Sequence, residues 1–271
     1  MITSSAFFPD NYNFQTRENI YLDGIELLVC NVKYNNSMNF NRRVFAFIEF
    51  IFKSVALTLK TKNTDLIFAT STPLTIIIPA FIISIIRNNP IIFEVRDLWP
   101  ELPIAVGAIK NPILKFLTYK LEKFAYIISK RIIALSPGMK DSIEKKGVNK
   151  SKISIVPNGC DIDLFQRHDF ININEIITEN KILTKPIVLY AGTFGVINDL
   201  NYIIELANES LKLSLDINFL LCGDGLEKDH IIRRAKKTNT LNKNLWILDS
   251  IPKKSVPTLM NIATVSISVF K

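Results

Sequence analysis

The stretch Ile187-Val-Leu-Tyr-Ala-Gly-Thr-Phe-Gly-Val-Ile-Asn-Asp-Leu-Asn-Tyr-Ile-Ile-Glu-Leu206 decides the fold. It begins as an uncharged run, Ile187–Ala191, turns through Gly192 and Gly195, and continues as a helical pattern over Asn201–Ser210. A continuous apolar strand followed by a glycine turn and a helix is the unit of a parallel sheet buried on both faces. The same unit returns at Leu220-Leu-Cys-Gly-Asp-Gly225, where Glu227 and Lys228 open the next helix. Glycines at the end of a strand let a backbone come close to a phosphate, with helix N–H groups pointing at it. Each loop alone is equally a plain strand-to-helix turn; two on consecutive strands share the sheet edge where such folds bind ligands. The GxGxxG spacing of a dinucleotide site is missing.

Working outward, strands are predicted at Leu27–Val32, Asp65–Thr70, Pro90–Val95, Arg131–Leu135, Ile153–Val156, Ile187–Ala191, Phe219–Cys222 and Leu245–Leu248. Helices are predicted around Val44–Leu59, Leu74–Arg87, Ile113–Ser129, Gly138–Lys146, Asn201–Ser210 and Glu227–Thr238. The alternation gives an α/β, doubly wound, Rossmann-like class. Residues 166–185 lack a clear period, so a first domain over 1–165, a linker over 166–185 and a second domain over 186–271 are expected. The second has room for three strands and two helices before the strand-like Thr264–Phe270, about half a Rossmann-like unit, and is expected to leave an open edge.

The 271 residues are 48% hydrophobic and 21% charged, a composition that excludes disorder. The net charge of +8 is concentrated in residues 1–170, which hold 21 Lys/Arg against 15 Asp/Glu and point to an anionic partner. Cys30, Cys160 and Cys222 are scattered, which fits a reducing cytosol better than a disulfide scaffold. Neither His168 nor His230 has ligand spacing to a cysteine, so no metal site is expected. The longest apolar run, Leu74–Ile86, falls short of the ~20 residues of a spanning helix. No signal peptide is read at the start.

Two further stretches stand out. Phe93-Glu-Val-Arg-Asp-Leu-Trp-Pro-Glu101 crowds charge and a tryptophan onto a strand end, where a buried Arg96 beside Asp97 is costly without a pair or a ligand. A local ion pair between Arg96 and Glu94, with Trp99 in the core, is the alternative. Val156-Pro-Asn-Gly-Cys-Asp161 is a tight turn around Asn158-Gly159. On a helical wheel Ile113, Leu114, Leu117, Leu121, Phe124 and Ile128 share one face, and Lys115, Phe116, Tyr119, Lys120, Lys123 and Tyr126 the other. Lysines among aromatics on the solvent side suit a bilayer interface, as do Arg42, Arg43, Phe45, Phe47, Phe50, Phe52 and Lys53 around the single acid Glu49.

Taken in order, Phe93–Glu101, Ala134-Leu-Ser-Pro-Gly-Met139, Ile155–Asp161, Tyr190–Gly195 and Cys222-Gly-Asp-Gly225 resemble the motifs of family 4 glycosyltransferases over nearly the whole chain. The nearest resemblance is to bacterial N-acetyl-L-fucosamine transferases of O-antigen and capsule assembly. It implies a GT-B fold, two Rossmann-like domains facing a cleft, and a metal-independent, retaining sugar transfer that uses no cofactor. UDP-sugar would be the donor and a lipid-linked saccharide the acceptor, at the cytoplasmic face of the plasma membrane, with an anionic membrane surface as partner. It places Gly192, Thr193, Gly195, Gly223 and Gly225 around the donor. Arg96, Asp97 and Glu101 become the cleft candidates for catalysis, and Trp99, Asn158 and Gly159 lie on the acceptor side.

The sequence departs from the family where Arg96 replaces a frequent histidine, and where Val196, Asn198 and Asp199 stand in place of an arginine and a lysine that hold the diphosphate. Relatives also carry a strand and glycine loop before Met1–Ser4, and a Glu-x7-Glu motif after the last residue here. A chain truncated at both ends, with weak donor binding and little turnover, is therefore expected. The alternatives are a nucleotide-sugar 2-epimerase, which needs acid–base groups around the sugar, and a non-catalytic remnant. A nucleic-acid partner is not expected, since the basic residues form no reading module.

Overall fold

The computed structural model describes residues 1–8, 20–34, 38, 40–61, 64–71, 73–105, 107, 109–166 and 184–270. The chain folds as two compact units, Met1–Asn158 and Gly159–Lys271. Most of the expected linker, residues 167–183, lies outside the described residues.

The first unit carries two sheets. Strands β1 (Ile2–Ser4), β2 (Ile20–Leu22) and β3 (Ile25–Cys30) lie in the order β1-β3-β2. Strand β2 is not among the strands predicted from the residues. It pairs antiparallel with β3 through Asp23-Gly24, both at positive φ (49° and 79°). Such a two-residue turn matches the twist of the strands it joins, so the Asp-Gly dipeptide is the local signal for it. The second sheet has the order β4-β5-β6-β7, from β4 (Ile67–Thr70), β5 (Ile91–Val95), β6 (Arg131–Ala134) and β7 (Ile153–Ile155), all parallel.

Helices α1 (Phe40–Lys60), α2 (Ile77–Arg87), α3 (Glu101–Ala105), α4 (Pro112–Ile128) and α5 (Pro137–Lys145) connect these strands. Their starts are written locally. Asn111 accepts from the amides of Ile113 and Leu114 ahead of Pro112, and Ser136 accepts from Met139 N ahead of Pro137. Ile77, Ile91, Phe93, Ile132 and Ile143 are each under 2% exposed and form the core between helices and sheet.

The second unit begins with α6 (Ile162–Gln166) and has a parallel sheet ordered β10-β9-β8-β11. The strands are β8 (Ile187–Ala191), β9 (Asn218–Cys222), β10 (Leu245–Leu248) and β11 (Val265–Ser266). Every residue of β9 is buried, and alternate side chains enter opposite layers. Phe219 and Leu221 join α7 (Asn201–Lys212) and α8 (Lys228–Lys237) through Ile203, Ile204, Ala207, Ile231 and Ala235. Leu220 and Cys222 face the other way, with Trp246, Leu248 and Leu259 of α9 (Val256–Asn261).

Two expectations need correction. The second unit holds a fourth strand beyond the three expected, because within the strand-like Thr264–Phe270 Val265 and Ser266 pair in parallel with Val188 and Leu189. On α4 the predicted apolar face is only partly the buried one: Leu121 and Ile128 pack against the core and Phe124 meets Phe81 edge-on. Glu122, Ala125 and Tyr126 are buried, while Ile113 and Leu117 are 69% and 55% exposed. A salt-bridged glutamate and a hydrogen-bonded tyrosine enter the core there, which a wheel of apolar residues misassigns. The exposed side of α4 is thus Ile113, Phe116, Leu117, Tyr119, Lys120, Lys123 and Ile127.

Candidate functional site

In the second unit the loop after β8 and the loop after β9 are joined by main-chain hydrogen bonds that continue the β8–β9 ladder past its end. Gly192 N donates to Cys222 O (3.0 Å), Phe194 N to Asp224 O (2.8 Å) and Glu227 N to Phe194 O (3.0 Å). The two backbones touch where the sequence has glycine. A Cβ on Gly223 would lie 1.8 Å from Gly192 O, and one on Gly225 would lie 2.4 Å from Phe194 O. Both glycines are therefore required by loop-on-loop contact, whatever else binds there.

Gly192, Thr193, Gly195, Gly223 and Gly225 come together at this one edge. Tyr190, buried beneath it, donates from its hydroxyl to Thr193 O at 2.8 Å and fixes the turn. Burial pushes that phenol above its ordinary value, so it stays a donor through neutral pH. A depression of about 80 Å³ opens alongside, lined by Gly195, Val196, Asp199, Leu200, Asn201 and Glu227 at the start of α7. Asp199 sits in it at φ 33° and accepts from Asn201 Nδ2 at 3.0 Å.

Lys228 brings a cation to the same edge. Its ammonium pairs with Asp249 after β10, and with Asp224 of the glycine loop at 3.7 Å. A lysine in the first turn of α8 opposes the helix dipole, and the two carboxylates offset this and push its pKa up. The sequence marks Lys228 only as a helix start; its pairing with Asp249 is long-range and has no local signature. Cys222 donates from its thiol to Asp249 O at 3.3 Å, and burial raises that thiol.

In the first unit the stretch after β5 begins with Thr70 Oγ1 donating to Glu94 Oε2 (2.6 Å) and Arg96 N donating to Ser71 Oγ (2.9 Å). Glu94 thus takes a hydroxyl. Arg96 is exposed, which corrects the expectation of a buried arginine beside Asp97: the chain leaves the sheet at Val95, just before Arg96. Trp99 is half-buried against the core with Leu98. The Glu101 side chain is partly exposed; its Oε1 pairs with Lys146, and its Oε2 is buried with no hydrogen-bond partner among the described residues. Asn158 and Gly159 are exposed in the loop that follows β7, two strands from β5 in the sheet order. Among the described residues no group of three or more His, Cys, Asp or Glu is placed to hold a metal, and no helix is long and apolar enough to cross a membrane.

Parallel α/β units with twin glycine loops at a strand edge define a Rossmann-like, GT-B class of protein. Residues 18–164, more than half of the chain, match glycosyltransferase family 4, and the chain belongs to that family. No curated protein matches the sequence. Among solved structures it is similar to HepE of Anabaena in complex with UDP and glucose, at 17% identity and a TM-score of 0.64, over 90% of this chain and 60% of that one. It is also similar to sucrose-phosphate synthase of Thermosynechococcus elongatus, at 14% identity and a TM-score of 0.66, over 91% of this chain and 60% of that one. A third similarity is to WaaG, a glycosyltransferase involved in lipopolysaccharide biosynthesis, at 18% identity and a TM-score of 0.59, over 92% and 63%. The chain spans about three-fifths of the length of these proteins.

Proposed function

We propose that the chain serves a retaining, metal-independent transfer of a sugar from a UDP-sugar donor to a lipid-linked saccharide. The sugar is an N-acetylated hexosamine or deoxyhexosamine and the product an O-antigen, capsule or exopolysaccharide. The observation that carries the reading is the joined pair of glycine loops on β8 and β9 in a family 4 chain. The family membership favours this reading over an epimerase.

On it, the donor diphosphate rests on the loop 192–195. The amides of Thr193 and Gly195, which take no part in the bonds between the two loops, and the start of α7 offset the negative charge that grows on the leaving UDP, with no proton needed from a side chain. Gly223 and Gly225 shape the nucleotide side, and Lys228, once a ligand anion takes the place of Asp224 and Asp249, is the cation that Val196, Asn198 and Asp199 do not supply. Arg96 and Asp97 serve the acceptor, as do Trp99, Asn158 and Gly159. The proposed place is peripheral, on the inner face of the plasma membrane; it is supported by α4, which exposes Phe116, Leu117 and Ile127 among Lys120 and Lys123, and by Phe45 and Phe52 on α1.

Calorimetric titration with UDP and with UDP-N-acetylglucosamine tests the donor reading. Saturable binding of both is expected; a folded sample that binds neither would remove it.

A further inference from the structure

Beneath the stretch that follows β5 a buried carboxylate is joined to the surface through a half-buried lysine. Glu122 on α4 is 3% exposed, yet carries an acid. Its Oε1 receives a hydrogen bond from Tyr126 Oη at 2.9 Å and another from the Lys146 ammonium. The same ammonium pairs with Glu101, the last residue of the Phe93–Glu101 stretch and the first of α3. Lys146 itself ends α5, its amide bound to the carbonyls of Ile143 and Glu144, and Ile143 is fully buried.

Two carboxylates around one ammonium leave the cluster with a net negative charge. Burying a carboxylate such as Glu122 with its partner stabilises a fold less than an apolar side chain of the same volume would, so stability alone does not account for it. The geometry is that of a tether. Glu122 and Tyr126 are fixed because Ala125 and Tyr126 belong to the main core, and Tyr126 lies against Phe93 of β5 with ring centroids 6.3 Å apart. The stretch 96–101 is held at its beginning by Ser71 Oγ on Arg96 N. Lys146 holds its end.

We propose that Lys146, seated between Glu122 and Glu101, is a positioning residue that fixes the Arg96–Glu101 stretch, and that Glu101 acts as the held group rather than as an acid or base. The tether stands on its own; its consequence for sugar transfer rests on the reading given above, since Asp97 and Trp99 ride on the held segment. Lysine fits the task because one flexible stem reaches carboxylates on two other helices.

The test uses Trp99 as the reporter. The chain has two tryptophans, and replacing Trp246 by Phe leaves Trp99 as the single emitter. The Trp246 indole N–H is buried without a partner, so that change deletes no hydrogen bond. In this background Glu101→Ala cuts the tether while leaving the buried Glu122–Lys146 pair intact. The double change Glu122→Gln with Lys146→Met removes both buried charges together, so neither is left unpaired. Acrylamide quenching of Trp99 is expected to rise about twofold in both variants through local opening, and to keep its starting value in Lys146→Arg. Quenching unchanged in both variants, with native far-UV circular dichroism, would overturn the proposal. Because the readout needs no nucleotide, its failure and a failure of UDP binding are told apart.

Discussion

Replacing Gly223 by alanine tests the claim that the two glycine loops are built against each other. The new methyl would sit 1.8 Å from Gly192 O, with Gly192 C and Phe194 Cε1 each at 3.0 Å. Two of those three atoms are backbone, so relief requires the loops to part. Parting strains or breaks the bonds Gly192 N to Cys222 O and Phe194 N to Asp224 O. At ~1 kcal/mol for each bond and ~1–3 kcal/mol for overpacking a closed contact, the change should cost about 3–5 kcal/mol. With a urea dependence of ~1–3 kcal/mol per molar, the unfolding midpoint of the second unit should fall by roughly 1–5 M. Gly159→Ala is the control. Its methyl would meet nothing within 4 Å, and a shift within ~0.5 kcal/mol is expected. Urea unfolding followed by far-UV circular dichroism measures both. A loss below ~1 kcal/mol for Gly223→Ala would mean that the loops are not in contact as described, since a methyl cannot occupy a carbonyl oxygen's volume for less.

Tyr190→Phe removes the hydroxyl that holds Thr193 O and should cost about 1 kcal/mol, with weaker UDP binding as the turn loosens; urea melts and calorimetry on the folded variant read the two effects. Glu122→Gln tests the buried acid by its pH dependence. Burial raises this carboxyl above 4.5, against the pull of Lys146 and Tyr126, so the folded chain holds the proton more tightly than the unfolded one. Its ionisation therefore costs stability as pH climbs from 4.5 through the raised folded value. Relative to wild type the variant should gain ground between pH 4.5 and pH 7 in urea melts; a gap that moves the other way would reverse the assignment. Lys120→Ala with Lys123→Ala should weaken sedimentation with phosphatidylserine vesicles by ~2 kcal/mol, at about 1 kcal/mol per lysine. Equal binding to neutral vesicles would point to the apolar residues of α4 alone.

The parts of the fold legible in the sequence are those where one signal dominates. Strands β5, β6, β8, β9 and β10 are buried runs between breakers, and Ile187–Ala191 and Leu245–Leu248 have the bounds the residues suggest. Helices with a Pro at the first position and an Asn or Ser before it, α4 and α5, start within a residue of their predicted place. Strand β2 escapes because three residues, two of them exposed, carry no alternation; only Asp23-Gly24 marks it. The face of α4 escapes for the opposite reason. Its core residues include Glu122 and Tyr126, whose burial depends on Lys146, 24 residues after Glu122 in the chain. Periodicity reads water against oil and has no sight of a partner supplied by another helix.

The same asymmetry governs the site. Glycine loops on strand ends are local features, and Gly192, Gly195, Gly223 and Gly225 stand out as a group. What each glycine answers to does not, since the 1.8 Å approach of a Cβ on Gly223 to Gly192 O is a property of two loops some thirty residues apart. A glycine that the neighbouring backbone already requires gives the same result, lost binding, whether or not a nucleotide ever touches it. Glu101 makes the complementary point. A carboxylate in a charged motif at a strand end suggests acid–base chemistry, but one whose first oxygen pairs with Lys146 and whose second is buried has little freedom to exchange a proton with a substrate. The discriminating positions are those whose side chains the fold does not consume. Thr193 is exposed at the turn, and among the described residues the Lys228 ammonium is held by the carboxylates of Asp224 and Asp249. An anion arriving at this edge would compete with those carboxylates for the ammonium, so a change at Lys228 acts on the ligand's charge while the β8–β9 ladder, made of main-chain bonds, stays closed.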